Sequence, residues 1–353
     1  MKTISNDGLN SETQPMVHII RQSAPALLQR VQQGLEKFQL IHAPHPTWPL
    51  PHSHVVSQYN SRRPLRISIL DSSFNPPTLA HLALANSPRS EGLSISEEAN
   101  HADPPFYDAK LLLLSVKNVD KSLKPGDATY QQRLEMMSLL TLAIQPDVDA
   151  TSSSSPISDI FIPERANVAI GITDEPTFVG KANTLIDFLK TRLSSSNAPV
   201  QVSVPQDIEL TFLVGMDTLE RLFAPRYYTS EEAMMSSLRK FFSQPPAGDN
   251  SRIVCARRVV EAPTSSELQA LSFAKEFVDS GRIAIIDLKV TRVPTARQPC
   301  DVLAVFQVRS MIVRGASGLQ MISRNILSST ASTKRQSNVL ILPSSQAFFY
   351  NPT

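Results

Sequence analysis

Leu65-Arg66-Ile67-Ser68-Ile69-Leu70-Asp71-Ser72-Ser73-Phe74-Asn75-Pro76-Pro77-Thr78-Leu79-Ala80-His81 is the stretch whose reading decides the fold. Its first six residues alternate as a strand does, and the Asp-Ser-Ser-Phe-Asn-Pro-Pro run after them is turn chemistry. Thr78 is a good N-cap, so a helix begins there. A turn at a strand's carboxyl end that feeds a helix amino terminus leaves unpaired backbone N–H groups where a phosphate can bind. Ser72 and Ser73 keep the turn small, although neither has glycine's freedom at positive φ. Pro76 and Pro77 stiffen it. His81 lies about one turn into the helix, where its imidazole can donate to a phosphate whose charge grows during transfer. The bland alternative is a proline-stiffened loop with an incidental histidine. A P-loop is excluded, because no Gly-Lys-Ser/Thr follows the strand.

Outward from this stretch, the pattern predicts further strands at 110–116, 168–172, 210–214, 252–256 and 282–287. Helices are expected over 129–144, 181–194, from after Asp217 to Phe223, and after the capping box Thr264-Ser265-Ser266-Glu267. Strands alternating with helices predict an α/β fold, a doubly wound parallel sheet with helices on both faces and ligands beyond the carboxyl ends of the strands. Upstream, Ile19, Ile20, Ala24, Leu27, Leu28, Val31 and Leu35 predict an amphipathic helix from Met16 to Phe38, followed by a proline-rich connector to residue 64. The domain is expected over 65–288, with surface insertions at 86–108 and 149–160 and a divergent region over 289–353.

Of the 353 residues, 41% are hydrophobic and 19% charged, an ordinary globular balance, and the formal net charge of +2 is too mild to imply a nucleic-acid partner. Cys255 and Cys300 show no metal-ligand spacing and fit a reducing compartment. His42, His45, His52 and His54 lack carboxylate or cysteine partners, so no metal site is expected from them. No segment has the apolar length of a membrane span, and Asp7 and Glu12 argue against a secretory or mitochondrial leader. The expected location is the cytoplasm or nucleus.

Ser73-Phe74-Asn75-Pro76-Pro77-Thr78-Leu79-Ala80-His81 resembles the nucleotide-binding signature of the cytidylyltransferase-like nucleotidyltransferases, and more closely the Gly-Ser-Phe-Asn-Pro-x-Thr-x-x-His form of the nicotinamide mononucleotide adenylyltransferases. Ser72 stands where that family usually has glycine. Later blocks fall in the family's order. Lys121 resembles its phosphate-directed lysine, with Lys117 and Lys124 as alternatives. Arg133 resembles the arginine of its helix motif, and Glu175 follows the strand before its pyridine contacts. Val214-Gly215-Met216-Asp217-Thr218-Leu219 resembles its Gly-x-Asp-x-Leu block. There Asp217 either caps the next helix or accepts from ribose hydroxyls. Arg257 resembles the arginine at the end of the following strand.

The resemblance implies a Rossmann-like nucleotidyltransferase fold that joins ATP, with Mg²⁺, to nicotinamide mononucleotide (NMN) or nicotinic acid mononucleotide, releasing pyrophosphate. It implies His81 and Lys121 as catalytic residues and Ser72, Ser73, Phe74 and Thr78 as phosphate contacts. Asn75, Lys117, Arg133, Glu175, Gly215, Asp217 and Arg257 would touch the nucleotides. A different phosphorylated acceptor, or a degenerate ATP-binding member engaged in protein interaction, remains an alternative. The family's late Ile-Ser-Ser-Thr-x-x-Arg helix start is met in part, by Ser328, Ser329 and Thr330. Thr333 holds the arginine's place, and Lys334 and Arg335 are the cations that follow.

Overall fold

The computed structural model describes residues 10–50, 63–89, 106–117, 125–146, 166–195, 207–257 and 264–288. Seven strands form one sheet. They are β1 (Phe38–His42), β2 (Leu65–Asp71), β3 (Ala109–Ser115), β4 (Val168–Thr173), β5 (Ile208–Gly215), β6 (Ser251–Arg257) and β7 (Ile283–Asp287). Their order is β1-β4-β3-β2-β5-β6-β7, with β1 antiparallel to β4 and every other pair parallel. The helices are α1 (Asn10–Gln32), α2 (Leu79–Ala85), α3 (Tyr130–Ala143), α4 (Phe178–Ser195), α5 (Met216–Leu222), α6 (Glu231–Phe242) and α7 (Ser265–Asp279).

Side chains alternate across the sheet, so each strand feeds two cores. Ile67, Ile69, Leu111 and Phe212 bury one face against Leu185 of α4, Leu219 of α5, Phe241 of α6 and Phe277 of α7. Leu70, Leu112, Leu114 and Ile170 bury the other against Ile20 and Leu28 of α1, Leu82 of α2 and Leu134 and Met137 of α3. The expected doubly wound sheet is therefore present, with helices on both faces.

Two elements go beyond the sequence reading. β1 adds an edge strand upstream of residue 65, and α6 fills the interval between α5 and β6. The first helix also ends six residues before the expected Phe38. Gly34, at φ 71°, receives the chain, while Leu35 N–H bonds the Arg30 carbonyl and Gly34 N–H the Val31 carbonyl, both at 3.0 Å. This is a Schellman stop. Its buried stripe is Ile20, Ala24, Leu28 and Val31, whereas Ile19 and Leu35, expected on the apolar face, are 55% and 68% exposed.

The chain moves from β2 through β3 to β4 on one side and from β5 through β6 to β7 on the other. The switch point therefore lies between β2 and β5, and a crevice opens beyond their carboxyl ends. Among the described residues no helix is long and apolar enough to cross a membrane.

Candidate functional site

The strand β2 delivers Ser72 and Ser73 to this crevice. Neither takes a positive φ; that conformation falls on Phe74, at φ 45°. A bulky residue in the left-handed region costs roughly 1–3 kcal/mol and persists only where its surroundings over-determine it. Here the Phe74 side chain is fully buried and its ring centroid lies 5.5 Å from that of His81. The Phe74 side chain is thus part of the core, and its main chain forms the turn.

Asn75 and Arg133 are likewise turned to the protein. Asn75 donates to Asp127 Oδ1 at 2.8 Å and accepts from the Ala128 N–H at 3.0 Å. Arg133 is buried; its Nε donates to the Ala128 carbonyl at 2.9 Å and its Nη1 to the Ser73 carbonyl at 3.3 Å. Burial lowers the pKa of this guanidinium, and Asp127 works against that shift. The two side chains clamp the turn after β2 to the loop before α3, which shapes the crevice. Asp127, which sequence reasoning missed, is their common partner.

Thr78 caps α2, and its amide N–H donates to His81 Nδ1 at 2.9 Å. His81 Nε2 lies 2.7 Å from Ser72 Oγ. Burial holds this imidazole below its ordinary pKa, so the ring is neutral near pH 7.

Across the switch point, β5 runs into α5 with Gly215 as the N-cap. Asp217 therefore sits inside the first turn and is not the cap, which removes that alternative. Its carboxylate is 66% exposed, 3.7 Å from Arg221, and favourably placed in the helix dipole. A cleft beside it is lined by Asp217, Arg221, Phe223, Ala224, Arg226 and Gln269.

At the ends of β3 and β4, Lys117 reaches the buried Asp174 at 3.0 Å, and Lys37, just before β1, approaches its other oxygen at 3.7 Å. Glu175 turns back on the start of α4, accepting from the Thr177 hydroxyl at 3.0 Å and its N–H at 3.3 Å. A Cβ on Gly180 would press on that carboxylate, so any larger residue there requires Glu175 to turn aside. Glu175 is thus a helix-start residue. Under the sheet edge, Lys181 pairs with Asp71 at 2.5 Å, and Ser115 donates to Asp71 at 3.2 Å. Arg257, at the end of β6, donates to Asp287 at 3.2 Å.

The structure accordingly brings Ser72, Ser73, Thr78 and His81 to one side of the crevice and Gly215 and Asp217 to the other. Lys117 and Arg257 occupy neighbouring strand ends. Lys121, Lys124, Ser328, Ser329, Thr330, Lys334 and Arg335 lie outside the described residues. Among the described residues, no group of three His, Cys, Asp or Glu side chains could hold a metal. His45 already uses both ring nitrogens, on Thr47 and Asn167.

The doubly wound sheet, with a strand–turn–helix carrying His81 at its switch point, is Rossmann-like and consistent with a nucleotidyltransferase fold. The chain is 30% identical over 201 residues to a Schizosaccharomyces pombe protein named "Putative nicotinamide mononucleotide adenylyltransferase". That match covers 57% of the chain and 57% of the relative, so the chain spans little more than half of that protein's length. No family model matches the sequence.

Proposed function

We propose that the protein is a nicotinamide-nucleotide adenylyltransferase that converts NMN and ATP into NAD⁺ and pyrophosphate. The observation that carries the reading is the pairing, across one switch point, of the Ser72–His81 turn with the Gly215–Asp217 helix start. The likeness to the fission-yeast protein supports it. The acceptor phosphate is already ionised, so attack on the α-phosphorus needs alignment and charge neutralisation more than a general base. Ser72 and Thr78, with His81 behind them, would hold the triphosphate, Asp217 the ribose, and Lys117 and Lys121 acceptor or leaving phosphates. Mg²⁺ enters as part of the MgATP substrate. Mixing the full chain with MgATP and NMN and measuring NAD⁺ and pyrophosphate tests the reading. ATP hydrolysed or bound with no NAD⁺ formed would favour the degenerate alternative.

Two results should accompany activity. Asp217→Asn should weaken ATP binding about tenfold, the scale of losing a charge-assisted hydrogen bond. Its melting temperature should stay close to the wild type, because the side chain is exposed and is not the cap. Unchanged affinity would remove Asp217 from the site. Replacing Lys334 and Arg335 together with alanine should slow turnover more than it weakens ATP binding, since a pyrophosphate clamp acts mainly in the transition state. Thr333→Arg should raise the rate. If neither variant changes turnover, residues 328–335 have no part in the reaction.

A further inference from the structure

Ser72 marks the chain's departure from the family it resembles, where glycine stands, and its hydroxyl is spent on one atom. Ser72 Oγ lies 2.7 Å from His81 Nε2. The other ring nitrogen, Nδ1, accepts the Thr78 amide N–H at 2.9 Å and lies 2.7 Å from Thr78 Oγ1. A backbone N–H can only donate, so Nδ1 carries the lone pair, and in the neutral ring the proton sits on Nε2. Nε2–H then donates to Ser72 Oγ. The hydroxyl's own proton finds no acceptor among the described residues and is free for a ligand.

We propose that Ser72 is the group that donates to the nucleotide phosphate, and that His81 is a positioning residue that orients and polarises the Ser72 hydroxyl from behind. The inference rests on the nucleotide-binding reading above. Hydrogen bonds in such a chain strengthen one another: a hydroxyl that accepts from an imidazole N–H is a better outward donor. The Thr78 amide fixes the first link, since it locks the ring in the tautomer the chain requires.

The test is calorimetric titration of the full chain with MgATP, beside imidazole ¹⁵N shifts of His81 in the ligand-free protein. Ser72→Ala and His81→Ala should each weaken binding about tenfold, and the double variant should be no weaker than either single one. Ser72→Thr, which keeps the hydroxyl, should bind as the wild type does. The ¹⁵N shifts should report the Nε2–H tautomer, and Ser72→Ala should shift the Nε2 resonance. Wild-type affinity in Ser72→Ala, losses that add in the double variant, or a ring protonated on Nδ1 would each overturn the proposal. A wild-type chain that binds no MgATP would instead sink the nucleotide-binding reading itself.

Discussion

His81→Ala should lower adenylyl transfer roughly a hundredfold or more, the scale of removing one donor to developing charge, because Ser72 loses the imidazole that orients its hydroxyl. The fold should survive with a modest penalty, because the imidazole also accepts the Thr78 N–H at the start of α2. Loss of such a cap costs about 1 kcal/mol, or roughly 2–4 °C in melting temperature for a domain of this size. The same contact gives a pH signature. Burial holds His81 below its ordinary pKa of 6.5, so the folded protein takes up this proton less readily than the unfolded chain. Its contribution to stability is therefore complete above about pH 6.5 and is lost as the pH falls further. Protonated Nδ1 sets an N–H against the Thr78 N–H. Melting temperatures from pH 7.5 to 5 should fall more steeply in the wild type than in His81→Ala. Unaltered turnover in the variant, or a collapse of the fold, would refute the assignment.

The central strands were legible because burial on both faces leaves a plain mark, as in Lys110-Leu111-Leu112-Leu113-Leu114-Ser115-Val116, and because turn chemistry bounds them. β1 offers no such mark. It has five residues, Phe38-Gln39-Leu40-Ile41-His42, and is a strand because Phe38 registers on Thr173 far along the chain. Helix α6 was readable in principle. Ser230 accepts from the Ala233 N–H, Glu231 and Glu232 occupy the first turn, and Met234, Leu238 and Phe241 form the buried stripe. Gly34 likewise marks the end of the first helix.

At the site, motif reading located the crevice but blurred the roles within it. Asn75 and Phe74 belong to the turn after β2 and Arg133 to α3, yet each is held by a partner that only the fold supplies: Asp127, the Ala128 carbonyl or the core. A residue type suited to ligand contact is equally suited to holding a turn in shape. The difference is set by tertiary register, which spacing does not encode. Asp217 shows the converse: ending β5 at Gly215 moved it into the helix and left its carboxylate exposed.

At the other end of the sheet, removing one buried carboxylate from among several guanidiniums should give the largest change in stability. Glu209 is buried at the amino-terminal end of β5, beside Arg66 of β2 in register. Its carboxylate lies 2.8 Å from Arg252 Nε, 3.3 Å from Arg89 Nε and 3.9 Å from Arg66 Nε, and all three arginines are buried. Nearby Arg282 has its pKa lowered to about 10 by burial first and by Arg252 second. Glu209→Gln keeps the shape and removes the charge, which leaves these guanidiniums facing an amide in a site closed to water. Breaking a buried pair from one side costs about 3–5 kcal/mol, a large share of a domain's stability. Denaturant unfolding should show that loss as a lower midpoint with an unchanged slope. Glu209→Gln combined with Arg252→Gln should recover part of it, because the partners no longer face each other unequally. Glu209 is six residues before Gly215, about 20 Å along the strand, so the folded fraction should bind MgATP as the wild type does. A loss under about 1 kcal/mol, by the scale of ordinary surface substitutions, would show that Glu209 does not hold the cluster.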